Sequence, residues 1–543
     1  MAYLYITSVI FLEFLAASSL LPRSEAHFQK NRNVLFLAVD DLRPELGCYG
    51  HNLIKSPNID MLASRSMLFE RAYCQVAVCS PSRASLMTGR RPDTNHVWKI
   101  AADEYWRNYT NATSIPQYFK ENGFISIGMG KLYHPGAPSG HDDSAYSWSP
   151  EGLPYFHSKK SGNKSVSWFS FSGIDDDQLR DGDIADHAVS VLQELHQNRS
   201  NGDDRPFFLG VGFHKPHLPF YAPSRYYDLY PPASEIKLAN NPKAPKDMPD
   251  IAWSDWEELR HYSDMEKLFN ITKCSTDAQA SINGKECRMP DEVTRELRRA
   301  YYSCVSYTDA QIGRVIKELV MQGFSDDTII VLWADHGWQL GEHNEWCKHT
   351  NFEDATHVPF LLHVPSVTDI GMKTQAFVEL IDIFPTLAEL TGLEIPPMCP
   401  EGNHKLLTCV EGSSVVPLLK DPSQTWKKAA FSQYPRPSYE GLRSIPGHPP
   451  FNNNEHEENI MGYTMRVDRY RFTEWVHFNR TTAVPNWDDV WGTELYNHTQ
   501  PTEFFDDESE NLANKPELQS LVSELRKMLH AGWRAALPPK DQK

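Results

Sequence analysis

Short unbroken apolar runs alternate along this chain with stretches whose apolar residues recur at helical spacing. The first run, Asn33-VLFLAV-Asp40, has strand length and no polar interruption, which suits a strand covered on both faces, as in a parallel sheet. Pro57 then opens a stretch with Ile59, Leu62, Ala63 and, after a polar turn, Met67 and Leu68 on one helical face. The same alternation recurs: helix 115–121 into strand 124–129, helix 185–196 into strand 206–213, and helix 296–322 into strand 328–334. Strand after helix after strand predicts an α/β fold with a central, mostly parallel sheet, which we place in a large domain over residues 27–440. From 441 the pattern changes. A polar, Pro-bearing stretch, GHPPFNNNEHEEN, suits an exposed loop or a proteolytic nick. Strand-like segments at 461–467, 470–478 and 492–498 follow, and then a helix from Pro516 to Ala536 with Leu518, Leu521, Leu525 and Leu529 on one stripe. This predicts a small C-terminal α+β subdomain, 441–543, with an antiparallel sheet.

A chain of 543 residues exceeds what one hydrophobic core usually serves, which agrees with two units. Residues 1–26 carry the apolar stretches Tyr3–Leu12 and Phe14–Leu21, with Ser24-x-Ala26 as a cleavage point, and read as a signal peptide; a short N-terminal anchor is the other reading. Seven N-x-S/T sequons, at Asn108, Asn111, Asn163, Asn198, Asn270, Asn479 and Asn497, fit the secretory pathway. Nine Cys leave at least one unpaired, and Cys79 is the candidate. Short-range disulfides are expected for Cys399 with Cys409 and for Cys274 with Cys287, with Cys48, Cys74, Cys304 and Cys347 reduced. The net charge of −18 argues against a nucleic-acid partner, which needs a basic footprint. It also suits a polyanionic substrate poorly near neutral pH. Protonating all 22 His lifts −18 to +4, so an acidic compartment removes that repulsion.

Chemistry gathers where the strands end. Asp40-Asp41 closes the first, Gly130-Lys131 and His134 follow the second, His214-Lys215-Pro216-His217 follow the third, and Asp335-His336-Gly337 closes the fourth. Ligands of open α/β sheets bind beyond the carboxyl ends of the strands, so these groups converge on one rim. Singly each has an ordinary reading: Asp-Asp as a helix N-cap, DHG as a turn, HKPH as a solvated loop. Cys79 begins CSPSRASLMTGRRP, and alone it reads as a buried Cys at a helix start. At the head of that helix it lies near free backbone N–H groups, which favour anions.

Taken in order, NVLFLAVDDLRPELGCYG, CSPSRASLMTGRRP, GKLYHPG, GFHKPHLPF, DHGWQLGEHNEWCKHTNFEDATHVPF and SQYPRP with IMGYTMRVDRYRFTEW resemble the sulfatase family over most of residues 33–475. Within that family they resemble the members that remove the 2-O-sulfate from iduronate in glycosaminoglycans such as dermatan and heparan sulfate. The resemblance implies an alkaline-phosphatase-like fold, a Ca²⁺ ion, and Cys79 oxidised to formylglycine by a formylglycine-generating enzyme during secretion. The hydrated aldehyde then has two hydroxyls, one to attack sulfur and one to expel sulfate. Asp40, Asp41 and Asp335 are the hard oxygen ligands Ca²⁺ takes, with residue 79 and His336 completing the set. His336 stands where many sulfatases carry Asn, a departure that favours the narrower assignment. By motif, Arg83 holds the hydrate, Lys131 and Lys348 contact sulfate oxygens, His134 assists release, and His214 is the acid for the leaving oxygen. Trp338, Lys348 and His349 are implied to contact the sugar.

Other classes fit less well. A C-x5-R phosphatase is excluded because Arg83 is four residues after Cys79, and a metal-dependent phosphodiesterase would have Ser or Thr at 79. A thiol hydrolase needs a local His for Cys79. An arylsulfatase, another glycosaminoglycan sulfatase, or a catalytically silent binder remain the alternatives. A sulfated saccharide substrate, no membrane association of the mature chain, and a lysosomal or secreted destination complete the expectation.

Overall fold

The computed structural model describes residues 32–150, 154–162, 165–254, 256–269, 288–402, 406–436, 460–499 and 508–541. The expected signal peptide, the Cys274–Cys287 pair, the 441–459 stretch and the sequons at Asn163 and Asn270 lie outside the described residues. No described helix is long and apolar enough to cross a membrane.

A seven-stranded sheet forms the centre. Its strands are β1 (Asn33–Val39), β2 (Met67–Phe69), β3 (Ile125–Gly130), β4 (Phe207–Phe213), β5 (Thr328–Ala334), β6 (Phe360–His363) and β7 (Met372–Thr374), in the spatial order β7-β2-β6-β5-β1-β4-β3. β6 runs antiparallel to its neighbours and the other pairings are parallel. The unbroken apolar runs are the middle strands: every residue of β1, β4 and β5 is buried. The expected alternation holds through the helices α1 (Pro57–Ala63), α2 (Cys79–Thr88), α3 (Ile115–Glu121), α4 (Arg180–Ser200) and α5 (Asp291–Met321). One expectation fails. Met67 and Leu68 do not extend the face of α1, which stops at Ala63; they enter β2 and pair with β6 and β7. The polar turn Ser64-Arg65-Ser66 ends the helix, and the sheet edge captures the apolar pair that follows it.

The C-terminal sheet is antiparallel, with β8 (Ala430–Arg436), β9 (Ile460–Arg466), β10 (Tyr470–Asn479) and β11 (Val484–Asn497) in that spatial order. Helix α6 (Gln519–Ala531) lays Val522, Leu525 and Leu529 on Met465, Phe472 and Leu495 of the sheet. The sheet's first strand lies ahead of residue 441. Pro435 hides it in the sequence, because Pro is disfavoured in strands except at edges, and β8 is an edge. Cys399 and Cys409 form a disulfide, and Cys48, Cys74, Cys79, Cys304 and Cys347 are free.

Helix α2 is buried along its whole length and ends at Gly89, whose φ of 65° is left-handed. A Cβ there would come within 2.7 Å of Val410 Cγ1. Gly89→Ala is therefore expected to cost about 1–2 kcal/mol from the backbone alone, read as a drop in Tm on thermal unfolding. An unchanged Tm contradicts the requirement.

Candidate active site

Register assembles the site. Val39 pairs with Ala334 and with Phe213, so the residues just beyond them, Asp40, Asp335 and His214, leave the sheet side by side, and Gly130 pairs with Gly212 to bring Lys131 to the same edge. Asp41 takes a left-handed φ of 57°, its N–H donates to Asp335 Oδ1 at 3.1 Å, and its carbonyl accepts from Tyr301 OH. Cys347 and His349, either side of Lys348, also have positive φ. Non-glycine residues in that region cluster at functional sites, where the surroundings over-determine the backbone.

Arg83, wholly buried one turn into α2, ties these ends together. It donates to Asp40 Oδ1 at 2.8 Å, to Asp335 Oδ2 at 2.9 Å, and to the carbonyls of Lys131 and Leu132. Its donors thus engage the carboxylates and the strand ends. Cys79 Sγ lies 3.5 Å from Asp40 Oδ1, 3.4 Å from His336 Nε2, 3.5 Å from Lys131 Nζ and 3.6 Å from Lys348 Nζ. Burial, reinforced by Asp40, pushes the Cys79 thiol well up, so as a cysteine it stays protonated and poorly nucleophilic. Lys131 is paired with Asp40, and Lys348 with Asp41 at 3.0 Å.

Asp40, Asp41, Cys79, Asp335 and His336 bring ligand atoms within 4.8 Å of one another. Two observations fit this set to a cation. Asp41 Oδ2 is buried with no hydrogen-bond partner. His336 donates its Nδ1–H to Gly337 O at 2.9 Å, and burial lowers its pKa to about 4, so a lone pair on Nε2 faces Asp41 and Asp335 oxygens at 3.4 Å. Facing lone pairs repel unless a positive charge stands between them. Burial and the carboxylates Asp40, Glu258 and Asp335 also push Asp41 up, against the pull of Lys348.

Of the twelve residues singled out from the sequence, eight meet here: Asp40, Asp41, Cys79, Arg83, Lys131, Asp335, His336 and Lys348. His134 is half-buried near Lys131, and burial followed by that charge lowers its pKa to about 4. His214 turns to Asp181, with Nδ1 3.4 Å from its carboxylate and the backbone N–H bonded to it. The histidine that faces the carboxylates is His217, whose Nδ1 donates to Leu218 O while Nε2 lies 4.0 Å from Asp41 Oδ2. Both belong to HKPH, and spacing could not choose between them. Trp338 is wholly buried with Lys348 Nζ 5.1 Å from its ring, so it supports that lysine and offers no open surface. His349 bridges Tyr434 OH of β8, at 2.7 Å, and Glu258, at 3.4 Å. Glu258 also bonds Lys348 Nζ at 2.9 Å, and against its own burial Lys348 and then His349 hold it ionised. No motif marked Glu258; it lies on a short 3-10 turn, Glu257–His261, that only tertiary folding delivers to the site.

Comparison with known proteins agrees with this geometry. Residues 32–393 match the family described as Sulfatase, and 341–534 match N-sulphoglucosamine sulphohydrolase, C-terminal. Iduronate 2-sulfatase of Homo sapiens is 37% identical over 516 residues, 86% of this chain and 88% of the human one. An arylsulfatase of Clostridium perfringens is 26% identical, covering 73% of this chain and 80% of its own. Among solved structures, the phosphonate monoester hydrolase of Agrobacterium radiobacter superposes with a TM-score of 0.64 at 20% identity, over 93% of this chain and 96% of that one. A 2-O GAG sulfatase superposes with a TM-score of 0.58 at 19% identity, over 92% of both chains. These likenesses carry the alkaline-phosphatase-like fold, and with the family match they place the chain in the sulfatase family as a sulfuric ester hydrolase.

Proposed function

We propose that the protein removes the 2-O-sulfate from iduronate residues of glycosaminoglycans, dermatan and heparan sulfate among them, with a formylglycine made from Cys79 and a bound Ca²⁺. The observation that carries this reading is Cys79 at the head of α2, within 3.6 Å of two lysines and inside a cluster of three aspartates and a neutral histidine. The uronate specificity rests on the 37% identity to human iduronate 2-sulfatase and 36% to its mouse counterpart, each over 86% of the chain. The leader-like residues 1–26, the sequons and the histidine balance support a lysosomal destination through the secretory pathway, with secretion as the alternative.

Asp40, Asp41, Asp335 and His336 would hold the calcium, which when bound offsets charge on a sulfate oxygen. As formylglycine hydrate, residue 79 would supply the hydroxyl that attacks sulfur. The chain's other groups do the remaining work. Lys131 and Lys348, already poised on Sγ, bind the sulfate oxygens and orient the ester for attack. Glu258 and Asp41 fix the Lys348 ammonium from two sides. Burial, followed by the charges of Lys131 and Lys348, holds His217 neutral in the free protein; once sulfate offsets those two lysines the ring can take up a proton and, with Nδ1 anchored on Leu218 O, give it from Nε2 to the departing sugar oxygen. His134 stands at the rim to take a proton when sulfate leaves.

Peptide mass spectrometry of the secreted protein should find residue 79 as formylglycine; active protein with an unmodified Cys79 overturns the mechanism. Asp335→Asn should lose bound calcium and most turnover, and wild-type metal content with wild-type rate removes Asp335 from the site. His217→Ala should lower kcat by about 10²–10⁴-fold, whereas His214→Ala acts mainly on stability; the opposite ranking returns the acid role to His214. On a panel of 2-O-, 6-O- and N-sulfated saccharides, release of the iduronate 2-O-sulfate should dominate, and preference for another position refutes the specificity.

A further inference from the structure

The loop that carries Lys131 and His134 runs on to Asp143 and is held at both ends by one short segment, 154–157. That segment is tied to β3, where Phe156 N–H donates to Gly128 O and the Phe156 carbonyl accepts from Gly130 N–H. Tyr155 OH donates to Gly130 O at 2.9 Å and accepts from Leu132 N–H at 3.4 Å, so it braces both sides of Lys131. His157 Nε2 meets Asp142 Oδ2 at 2.8 Å near the far end of the loop.

The far end needs holding. His141, Asp142 and Asp143 all take left-handed φ, of 58°, 62° and 51°. Residues with a Cβ adopt that region in succession only where their surroundings over-determine it. Asp143 is the firmer anchor: it accepts from Arg107 Nη2 at 2.7 Å, Ser114 Oγ at 3.1 Å and Ser147 Oγ at 2.6 Å, and from Tyr105 OH. Asp142 is held more lightly. Its carboxylate is buried, Oδ1 has no hydrogen-bond partner, and among the described residues His157 is the group bonded to Oδ2.

Hydrogen bonds lead from there to His134. Asp142 N–H donates to Ser139 Oγ at 2.9 Å, that hydroxyl donates to Gly136 O at 3.3 Å, and His141 N–H donates to the same carbonyl at 2.9 Å. Gly136 follows Pro135 and His134 directly. We propose that His157 is a positioning residue for the sulfatase reaction: as an imidazolium on Asp142 it holds the left-handed run and, through Gly136, the place of His134 during sulfate release. The inference rests on the proton-accepting role given to His134 above.

The clasp is sensitive to pH. The hydrogen bond to Asp142 raises the His157 pKa, partial burial opposes it, and the Asp142 charge adds to the rise while Arg180 subtracts. Asp142, Arg180 and the Tyr155 ring, with centroids 4.8 Å apart, are the charged and titratable side chains seen to face it among the described residues. A pair made by a raised histidine is complete below the ordinary value of about 6.5 and is lost as the pH climbs through the raised one. The loop is therefore clasped in acid.

Burst kinetics of the full-length enzyme on a small aryl sulfate test the proposal. Displacing His134 slows sulfate release after the alcohol has left. At about pH 5, His157→Ala should release a burst of aryl alcohol comparable to the enzyme concentration and then turn over about tenfold to a hundredfold more slowly, with KM falling alongside kcat. His157→Arg keeps a cation on Asp142 at any working pH, so it should restore the rate and hold it to higher pH than the wild type does. A role in folding alone would lower the active fraction with no burst and no change of profile. Amide hydrogen exchange over residues 134–143 reads the clasp without catalysis, and should quicken in His157→Ala and return to normal in His157→Arg. Unchanged exchange overturns the proposal, as does a wild-type rate without a burst in His157→Ala while His134→Ala shows one. A wild-type rate in His134→Ala instead removes the role given to His134, and the proposal falls with it.

Discussion

One buried guanidinium holds the active site in register. Arg83 joins the helix that presents residue 79 to the ends of β1 and β5 through Asp40 and Asp335, and to the end of β3 through two carbonyls. Each of those partners is buried as well. Removing one member of such a buried set leaves charge uncompensated, at a cost of about 3–5 kcal/mol. The same arginine that resembles a catalytic group in the motif is therefore, in this fold, the part that makes the other groups meet.

Around it the charges are arranged before any substrate arrives. Asp40, Asp41 and Asp335 face Arg83, Lys131 and Lys348 out of contact with water, where fixed charges act more strongly than in solvent and need no reorganisation during reaction. Glu258 adds a further carboxylate behind Lys348. That environment suppresses a thiolate at residue 79, which is one physical reason for this position to carry something other than sulfur chemistry.

The large domain was legible because buried parallel strands leave unbroken apolar runs, and because polar residues that interrupt them at their carboxyl ends must share one rim. The family motifs then named most of the cluster. What stayed hidden was hidden for local reasons. Pro435 disguised β8, and Met67-Leu68 could serve a helix face or an edge strand until the sheet was assembled. HKPH offered two histidines, and the turn of the backbone, not the composition, sends His214 to Asp181 and His217 to Asp41. Glu258 reaches Lys348 across a long stretch of sequence and carries no pattern of its own. Trp338, implied to contact the sugar, is wholly buried with its ring 5.1 Å from the Lys348 ammonium.

The C-terminal sheet has a further consequence for how the chain is joined. β8 precedes residues 437–459 and β9 follows them, and the two pair continuously from Ala430 opposite Arg466 to Arg436 opposite Ile460. β8 is also fastened to the large domain, since Gln433 N–H donates to Gln75 O and Ser432 Oγ to Cys74 O. The ladder, rather than the covalent connection, keeps Tyr434 against His349. A backbone severed between those strands would leave two polypeptides interlocked as a single body, with the wall of the catalytic cleft intact.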